Sequence, residues 1–371
     1  MDNKKNILVI SIPFSDNYNA VRIRHLNIFN YLKNNYDVKN IEFENKLFNN
    51  IKNFKSYYLK LKVSLNKIFG LEEFNNNKLS NFETYLKNYL GENKTDSIII
   101  LLRPFYLLRL TIFLKENFPE IKIIVDMSDP PSLGYGRFFH KNKYINYFEN
   151  KFLKPVDCLI VPNVSIKKHY HTITKNVEVI EHGVDEYSLN FEDMKIQNNN
   201  KVNGTKLIYG GKFHKGLREP DELFLAITDS KENIFLEVYT DLTDFSLNKS
   251  NFDLNKIFFE KPISQESLFK QFYNSDIIVH LDNFYGYQVP GKTLELLSFE
   301  KPILFVYNNE FSDTLSYLRD QPGVFIVKND RFLILEKIKK ITSLKGETYK
   351  RDFKQFYWSN LLSRLNLIIR D

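Results

Sequence analysis

Lys292 and Glu295 are the two residues of this chain whose types and spacing could do the most specific chemistry. They lie three residues apart, so on a helix their side chains share one face. Pro290 and Gly291 stand where that helix would begin, and a helix start offers backbone N–H groups to an anion. A cation for phosphate beside a carboxylate for sugar hydroxyls predicts a site for a nucleotide sugar.

Short apolar runs and helix-period segments alternate on both sides of this site. In the first half of the chain, the predicted strands cover residues 6–12, 38–43, 97–102, 121–126, 158–162 and 177–180. In the second half, they cover residues 207–210, 234–239, 256–259, 277–281, 303–307 and 324–327. Strands that alternate with helices form parallel sheets covered on both faces. The predicted fold class is therefore α/β.

A polar segment at 191–205 interrupts this alternation and is typical of a linker. We therefore predict two Rossmann-like domains, at 1–190 and 206–350, that face a cleft, with ligands bound beyond the carboxyl ends of the strands. The tail at 351–371 carries one apolar helical stripe. A stretch at about 46–94, rich in lysine, asparagine and aromatic residues, predicts a helical insertion. It is either a solvated helical pair or a surface that faces an acceptor or a membrane.

The charge and the cysteine content of the chain limit the kinds of binding partner and compartment that we expect. The formal net charge is +7 and the pI is about 9.0, which suits nucleotide diphosphates or an anionic membrane surface. We expect no nucleic-acid partner, because no compact basic and aromatic motif is present. The single cysteine, Cys158, excludes an intrachain disulfide and is expected to be a buried thiol. A reducing compartment fits it, so we expect a cytoplasmic protein, at the inner face of the membrane if its acceptor is lipid-linked.

Several other kinds of site lack their motif in this sequence. The histidines show no metal-ligand spacing with the carboxylates or with Cys158, and no Asp-x-Asp metal motif occurs. Neither a Gly-x-Ser-x-Gly segment nor a Walker loop is present, so hydrolase and ATPase functions have no support. No apolar run is long enough to span a bilayer.

Five segments match known motifs in the expected order. Residues 290–302 read Pro-Gly-Lys-Thr-Leu-Glu-Leu-Leu-Ser-Phe-Glu-Lys-Pro, similar to a Pro-x-Lys-x-x-Glu-(Tyr/Leu)-(Leu/Met)-Ala-x-Gly-Lys-Pro signature. Weaker matches are the strand at 157–165, the turn at 179–185, the strand at 208–212 and the helix around Trp358. Together they resemble the GT-B glycosyltransferases, especially the large retaining group called glycosyltransferase family four.

The resemblance implies a GT-B architecture in which the final helix, at 351–371, crosses back to the first domain. It implies a nucleotide-sugar donor bound mainly by the second domain and a glycan or lipid-linked glycan acceptor bound by the first. It implies transfer with retention, a nucleoside diphosphate product, no obligatory metal and no cofactor beyond the nucleotide-sugar co-substrate. We expect a role in surface polysaccharide biosynthesis and, with a lipid-linked acceptor, a peripheral membrane contact.

On the donor side, the resemblance gives each residue of the opening motif a role. Glu295 would hold the ribose hydroxyls, because a carboxylate accepts hydrogen bonds from two vicinal hydroxyls at once. Lys292 would contact the phosphates or the sugar from the same helical face. Pro290 opens the helix, and Gly291 and Thr293 would offer their backbone N–H groups there.

Two further donor-side regions follow from the same resemblance. Tyr287 stands eight residues before Glu295, where many members of the family carry a glutamate near the reacting sugar. Lys212 and a second cation, Lys215 or Arg218, would neutralise the departing diphosphate. Because charge builds on the leaving phosphate in the transition state, these cations are candidate catalytic groups.

The acceptor-side candidates follow strands of the first domain. Asp129 would orient the acceptor or balance charge at the sugar, and Arg22, Arg24 and Arg103 would bind the acceptor. Each has a structural alternative, such as a cap or a loop contact. Two other functions also stay open: an inverting transferase with Asp129 as its base, and a non-catalytic sugar-nucleotide-binding subunit.

Overall fold

A computed structural model describes residues 4–14, 20–43, 79–133, 143–186, 204–243, 251–344 and 346–370. The chain divides into two compact units, the first made of Met1–His182 and Ser359–Asp371 and the second of Gly183–Trp358. Most of the predicted linker and the part of the predicted insertion before Leu79 lie outside the described residues. No helix in the described ranges is long and apolar enough to cross a bilayer.

The first unit is a six-stranded parallel sheet with the strand order β2-β1-β3-β4-β5-β6. In chain order its elements are β1 (Asn6–Ser11), α1 (Ala20–Asn35), β2 (Asp37–Glu42), α2 (Leu79–Glu92), β3 (Ser97–Leu101), α3 (Leu110–Asn117), β4 (Lys122–Asp126), α4 (Lys143–Leu153), β5 (Cys158–Val161), α5 (Val164–Tyr170) and β6 (Val177–Val179). Every residue of β3 and β5 is buried, which explains their unbroken apolar sequences. β2 is polar and largely exposed because it lies at the sheet edge.

The second unit is another six-stranded parallel sheet, in the order β12-β11-β10-β7-β8-β9. Its elements are β7 (Thr205–Gly210), α6 (Asp221–Asp229), β8 (Ile234–Tyr239), β9 (Ile257–Glu260), α7 (Gln265–Tyr273), β10 (Ile277–Leu281), α8 (Thr293–Leu296), β11 (Ile303–Tyr307), α9 (Asp313–Leu318), β12 (Val324–Lys328) and α10 (Arg331–Ser343). Successive residues of β7 join different apolar clusters, Leu207 with Phe224 of α6 and Ile208 with Phe269 of α7. Because side chains alternate along a strand, both sheet faces are covered.

The tail forms two short helices, α11 (Trp358–Leu362) and α12 (Leu365–Arg370), rather than one continuous helix. The predicted apolar stripe is buried, and the residues from Ser359 onward belong to the first unit. Lys5 of that unit donates to the carbonyl oxygen of Ile369 at 2.7 Å, and Lys122 donates to that of Ile368 at 2.6 Å. The end of the chain therefore packs on the first sheet.

The predicted α/β class with two Rossmann-like domains is confirmed, because all twelve predicted strands are present in two parallel sheets. Cys158 is buried, as expected. Within each unit the parallel strands end at one edge, which we call the carboxyl edge. The candidate residues follow β1, β3 and β4 in the first unit and β7 and β10 in the second, so they lie at these edges. Arg22 and Arg24 are in the first turns of α1, and the others are in loops or in α8.

Candidate functional site

Asn283 joins two loops at the carboxyl edge of the second unit. Its side chain is buried two residues beyond the end of β10. The amide oxygen accepts hydrogen bonds from Arg218, at 3.1 Å from Nε and 2.7 Å from Nη2. The amide nitrogen donates to the carbonyl oxygen of Gln288 at 2.8 Å. A single neutral side chain thus fixes a guanidinium from the loop after β7 against the loop that leads to α8.

The loop after β7 is a tight turn in which His214 pairs with Arg218. Gly216 has a φ of +75°, a left-handed backbone conformation that favours glycine. Lys215 is exposed in the same turn. The turn therefore directs Arg218 back towards β10 and leaves Lys215 in solvent.

Lys212 is the third cation of this loop, and its side chain is largely exposed. Its side chain is 61% exposed, and its Nζ lies 3.5 Å from Oδ2 of Asp241. Arg218 is only partly exposed, and it forms no ion pair within the described part of the chain. Of the two alternatives for the second cation, Arg218 is thus the one that the fold holds in a defined position.

Two buried titratable groups lie close to Arg218, and its charge acts on both of them. Burial and the charge of Arg218 lower the pKa of His280 to about 3, so the ring is neutral. The Nε2 atom of His280 lies 2.9 Å from Oγ1 of Thr293. Burial raises the pKa of Asp282 to about 6, although a hydrogen bond from Thr314 and the charge of Arg218 oppose the shift. Arg218 therefore carries the permanent charge of this cluster.

Lys292 and Glu295 are brought together, as their spacing predicted. α8 is a single turn, in which the N–H of Leu296 donates to the carbonyl oxygen of Lys292 at 3.0 Å. Burial raises the pKa of Glu295, and the nearby charge of Lys292 opposes that shift. Oε1 of Glu295 accepts a hydrogen bond from Nε2 of Gln265 at 3.2 Å. The carboxylate remains partly exposed and is oriented by a neutral donor.

Thr293 does not offer the N–H group that its place at the helix start predicted. Its N–H donates to the carbonyl oxygen of Pro290 at 2.9 Å, and its hydroxyl donates to the same oxygen at 2.7 Å. The side chain is buried. The reason is local, because the chain turns tightly at Pro290 and the turn uses both donors. Gly291 is exposed beside it and remains the candidate for a backbone contact.

Tyr287 lies in an aromatic loop with a fixed course. Its ring stacks on Tyr285 with the ring centres 6.1 Å apart. Gly286 between them accepts a hydrogen bond from the N–H of Asp313 at 2.7 Å, and a Cβ atom there would come within 2.9 Å of Cα of Ser312. Burial raises the pKa of Tyr287 to about 12. The phenol therefore stays protonated and cannot supply the negative charge that a glutamate would carry there.

In the first unit, Arg24 is completely buried and its guanidinium is fully engaged. It forms an ion pair with Asp126 at 2.6 Å and donates to the carbonyl oxygens of Ile180 and Glu181 at 2.7 and 2.9 Å. These bonds tie the end of β4 to the chain that follows β6. The position of Arg24 supports this structural role rather than the acceptor contact that its sequence position predicted.

The other acceptor-side candidates differ in how much of each side chain reaches solvent. Arg22 is nearly buried and donates to the backbone carbonyls of Pro13 and Phe14. Arg103 is partly exposed, with its guanidinium 5.0 Å from the ring centre of Phe105. Asp129 is also partly exposed, three residues beyond the end of β4. Arg103 and Asp129 are therefore the accessible members of this group.

All three arginines act on one buried histidine, His25. Burial lowers its pKa to about 4, and the charges of Arg24, Arg103 and Arg22 act in the same direction, whereas Asp126 opposes them. The side chains that sequence placed at separate strand ends thus converge at one edge of the first sheet. His25 itself was not predicted to be part of a site, because a single histidine in a helical sequence does not indicate which side chains surround it.

A buried carboxyl group that contacts the loop after β4 was not identified from the sequence either. Glu149 of α4 is fully buried; its Oε1 lies 3.3 Å from the N–H of Ser132, whose hydroxyl is 2.9 Å from that of Tyr170. Burial raises the pKa of Glu149 to about 7. The sequence did contain a sign of this burial, because Glu149 has the helical spacing of four and three residues from Ile145 and Phe152 on the apolar face of α4. Among the described residues, no three acidic, histidine or cysteine side chains are grouped so that they could hold a metal ion.

No protein-family model and no curated protein sequence matches the chain. Solved structures do match it. A sucrose-phosphate synthase from Thermosynechococcus elongatus has a TM-score of 0.70 at 13% identity, over 99% of this chain and 98% of that one. The lipopolysaccharide outer core galactosyltransferase WaaB has a TM-score of 0.61 at 13% identity, over 98% and 99%.

An enzyme of another class shares the same fold. A UDP-GlcNAc 2-epimerase from Methanocaldococcus jannaschii has a TM-score of 0.50 at 13% identity, over 99% of both chains. At these identities the likeness concerns the fold, and the chemistry of this chain depends on its own residues. The architecture expected from the motifs is confirmed: the chain has the GT-B fold of solved glycosyltransferases.

Proposed function

We propose that this protein is a glycosyltransferase that moves a sugar from a nucleotide-sugar donor to a glycan or lipid-linked glycan acceptor, with retention, in surface polysaccharide biosynthesis. The observation that carries the proposal is the Arg218–Asn283–Gln288 bridge. It holds a charged guanidinium that has no described carboxylate partner at the carboxyl edge of a Rossmann-like sheet. Such edges bind nucleotides, and a guanidinium is suited to phosphate because it donates along two parallel bonds.

The donor diphosphate would be bound by Arg218, with Lys212 and Lys215 as flexible cations from the same turn. Lys212 is exposed and its contact with Asp241 is long, so an anionic ligand could replace that partner at little cost. The fixed cation would contribute most to catalysis, because a preorganised charge needs no reorientation when charge develops on the leaving phosphate. Lys292 would add a fourth positive charge, and Gly291 an exposed backbone contact.

Glu295 would hold the ribose. Its carboxylate is oriented by Gln265 and shielded enough from water to strengthen hydrogen bonds with hydroxyls. Burial raises the pKa of Glu295 and the charge of Lys292 opposes the rise, so Lys292 would favour the ionised carboxylate that accepts from the ribose hydroxyls. The ribose end of the proposed site thus depends on Gln265, through a hydrogen bond to Glu295, and on Lys292, through its charge.

The acceptor would be bound by the first unit, with Asp129 and Arg103 as its accessible polar groups. In the transfer step, the acceptor hydroxyl oxygen forms a bond to the anomeric carbon and the bond from that carbon to the diphosphate oxygen breaks. The hydroxyl proton goes to the departing diphosphate. The electron pair of the broken bond stays on that diphosphate, where Arg218 and Lys212 would stabilise it. Attack on the same face as departure gives retention.

An inverting transferase with Asp129 as its base and a non-catalytic sugar-nucleotide-binding subunit are the alternatives. An epimerase reaction is a further one, because a protein with that activity shares the fold. Product analysis separates all of these outcomes. Retention supports the proposal, inversion supports Asp129 as a base, donor epimerisation without transfer indicates the epimerase reaction, and binding without turnover indicates a subunit.

The first experiment is a thermal-shift screen of nucleoside diphosphates and nucleotide sugars, because a ligand that binds the folded state raises its melting temperature. Glu295→Ala should abolish the shift caused by the best ligand. Glu300→Ala, an exposed glutamate in the same segment, is the matched control and should retain it. An unchanged shift in Glu295→Ala would remove this residue from the site, and no shift with any nucleotide would overturn the proposed function.

A further inference from the structure

The outer side of α4 carries tyrosines and lysines in one stripe. Tyr144 and Tyr147 are 59% and 61% exposed, although tyrosine is usually at least half buried in a folded domain. Lys151 is exposed on the last turn, and Lys154 is exposed directly after the helix, where its N–H still donates to the carbonyl oxygen of Asn150 at 3.1 Å. Spacings of three and four residues bring these four side chains onto one face of the helix. The opposite face packs into the unit through residues such as Phe152.

α5 lies beside α4 on the same side of the sheet. The chain steps from β4 to β5 to β6 in one direction across the sheet, so right-handed connections put both helices on one face. The hydroxyl of Tyr170 in α5 reaches Ser132, which also contacts Glu149 of α4. α5 exposes Val164, at 52%, and Lys168. We call Tyr144, Tyr147, Lys151, Lys154, Val164 and Lys168 the basic–aromatic face.

Positive charge is concentrated in this part of the sequence. Residues 143–175 contain six lysines and two acidic residues, a formal charge of +4 out of the +7 of the whole chain. Of the two acidic side chains, Glu149 is buried, and Asp157 lies 2.7 Å from the ammonium of Lys115. Two of the six lysines are paired, Lys167 with Glu178 at 3.5 Å and Lys175 with Asp157 at 3.8 Å. Among the described residues, no ion pair offsets Lys151, Lys154 or Lys168.

The two kinds of side chain occupy different zones of this face. α4 and α5 both begin at the carboxyl edge, so Tyr144, Tyr147 and Val164 lie at that end of the unit. The lysines follow towards the other edge, with Lys154 about 15 Å along the helix axis from Tyr144. Tyrosine favours the boundary between apolar chains and headgroups, and lysine reaches anionic headgroups with its ammonium.

We propose that the basic–aromatic face docks the first unit on an anionic phospholipid bilayer. Charge complementarity identifies this partner, since Lys151, Lys154 and Lys168 form no ion pair among the described residues and accompany exposed tyrosines that can enter a headgroup layer. The contact lies on α4 and α5, not on the predicted insertion at 46–94. Its link to a lipid-linked acceptor rests on the proposed function, because the tyrosines lie at the same edge as Arg103 and Asp129.

α10 of the second unit offers a matched control for this proposal. It also exposes large apolar side chains, Phe332 at 65% and Leu333 at 44%, followed by lysines at 339 and 340. Here, however, the guanidinium of Arg331 covers the ring of Phe332 at 4.5 Å, and an exposed glutamate, Glu336, lies among the lysines. Exposure of apolar and basic side chains is thus similar, but the charges are mixed.

The test is co-sedimentation of the full chain with vesicles of phosphatidylcholine alone or mixed with phosphatidylglycerol. We expect binding to the mixed vesicles that weakens at high salt, and little binding to phosphatidylcholine. The double variant Lys151→Glu with Lys154→Glu should lose at least tenfold in affinity. Tyr144→Ser with Tyr147→Ser should weaken binding severalfold and keep its salt dependence. The control, Lys339→Glu with Lys340→Glu, should bind like the unaltered chain.

Three outcomes would overturn the proposal: equal binding to neutral vesicles, equal loss in the α10 control, or retention on an oligonucleotide with no affinity for anionic vesicles. The nucleotide thermal shift is measured on the same variants. A chain that fails to bind vesicles but keeps this shift contradicts the membrane contact alone. A chain that binds vesicles and shows no nucleotide shift contradicts the proposed function alone.

Discussion

Arg24 and Arg218 are both arginines at the carboxyl edge of a parallel sheet, yet their partners differ in charge. Arg24 is completely buried and is neutralised by Asp126 at 2.6 Å. Arg218 is partly exposed and is held by the neutral amide of Asn283 at 2.7 Å. Both guanidiniums are fixed in position, but among the described residues only Arg24 forms an ion pair; Arg218 acts on Asp282 without contacting it at ion-pair distance. A neutral partner orients a cation without using the charge that an anionic ligand requires.

The same contrast applies to the carboxyl groups of the first unit. Asp126 has a charged partner, whereas Glu149 has the N–H of Ser132 and neutral hydroxyls around it. Burial therefore raises the pKa of Glu149 to about 7, so its protonated form is favoured in the folded protein. One buried carboxyl group thus holds two strand ends together through charge, and the other holds a loop through hydrogen bonds.

Breaking the charged pair should have the largest effect. Arg24→Met keeps most of the side-chain volume but leaves Asp126 buried without its partner, so we expect a loss of about 3–5 kcal/mol in the free energy of unfolding. Urea denaturation followed by circular dichroism measures it. Adding Asp126→Leu should restore most of the loss, because no buried charge then remains unpaired. Arg218→Met should cost only about 1 kcal/mol. Equal losses at both arginines would remove the distinction between them.

The buried acid should show itself in the pH dependence of stability. The folded-state pKa of Glu149 is raised from 4.5 to about 7, so its contribution is fully present below pH 4.5 and is lost as the pH rises through about 7. Glu149→Gln stays neutral, so relative to this variant the unaltered chain should lose about 3 kcal/mol of unfolding free energy across that window.

Denaturant melts at a series of pH values measure this difference, with Glu336→Gln on the surface of α10 as the control. A constant difference between the unaltered chain and Glu149→Gln at every pH would show that Glu149 is ionised in the folded state. It would then resemble Asp126 rather than contrast with it.

The fold was predictable from the sequence because fully buried parallel strands leave a direct signal. β3 and β5 are buried on both faces, so their sequences are continuous apolar runs. The edge strand β2 is more polar, but it precedes the predicted insertion at 46–94, where the alternation of strands and helices is interrupted. The proximity of Lys292 and Glu295 was also predictable, since helical geometry fixes the neighbours of a residue three positions away.

The contacts that distinguish Arg24 from Arg218 could not be predicted from the sequence. Arg218 and Asn283 are 65 positions apart, and Arg24 and Asp126 are 102 apart, so only the sheet order brings each pair together. The occupied N–H of Thr293 was missed for a different reason. Spacing located a helix start, but the tight turn at Pro290 decided which donors remain.

Removing the charge of Arg218 should reduce catalysis more than stability. On the proposed function, Arg218→Ala should lower kcat by about a hundredfold, which is about 2.7 kcal/mol of transition-state stabilisation. Arg319→Ala, an exposed arginine at the end of α9, is the matched control. Steady-state kinetics with the donor found in the thermal-shift screen measures both. A rise in KM at constant kcat would mean that Arg218 binds the ground state only.

The prediction with the smallest expected effect gives Arg218 a charged partner like that of Arg24. Asn283→Asp replaces the neutral partner of Arg218 with a carboxylate of the same shape, so the second unit would contain a pair like Arg24 and Asp126. Because that carboxylate competes with the donor phosphates for the guanidinium, we expect the affinity for the donor to fall about tenfold, or about 1.4 kcal/mol. Isothermal titration with the nucleoside diphosphate measures it. Asn283→Ala removes the hydrogen bonds to Gln288 and to Arg218 without adding a charge. It should reduce affinity less, because it leaves the charge of Arg218 available. If the two variants lose equal affinity, the neutral amide acts through the loop it fixes and not through the charge it preserves.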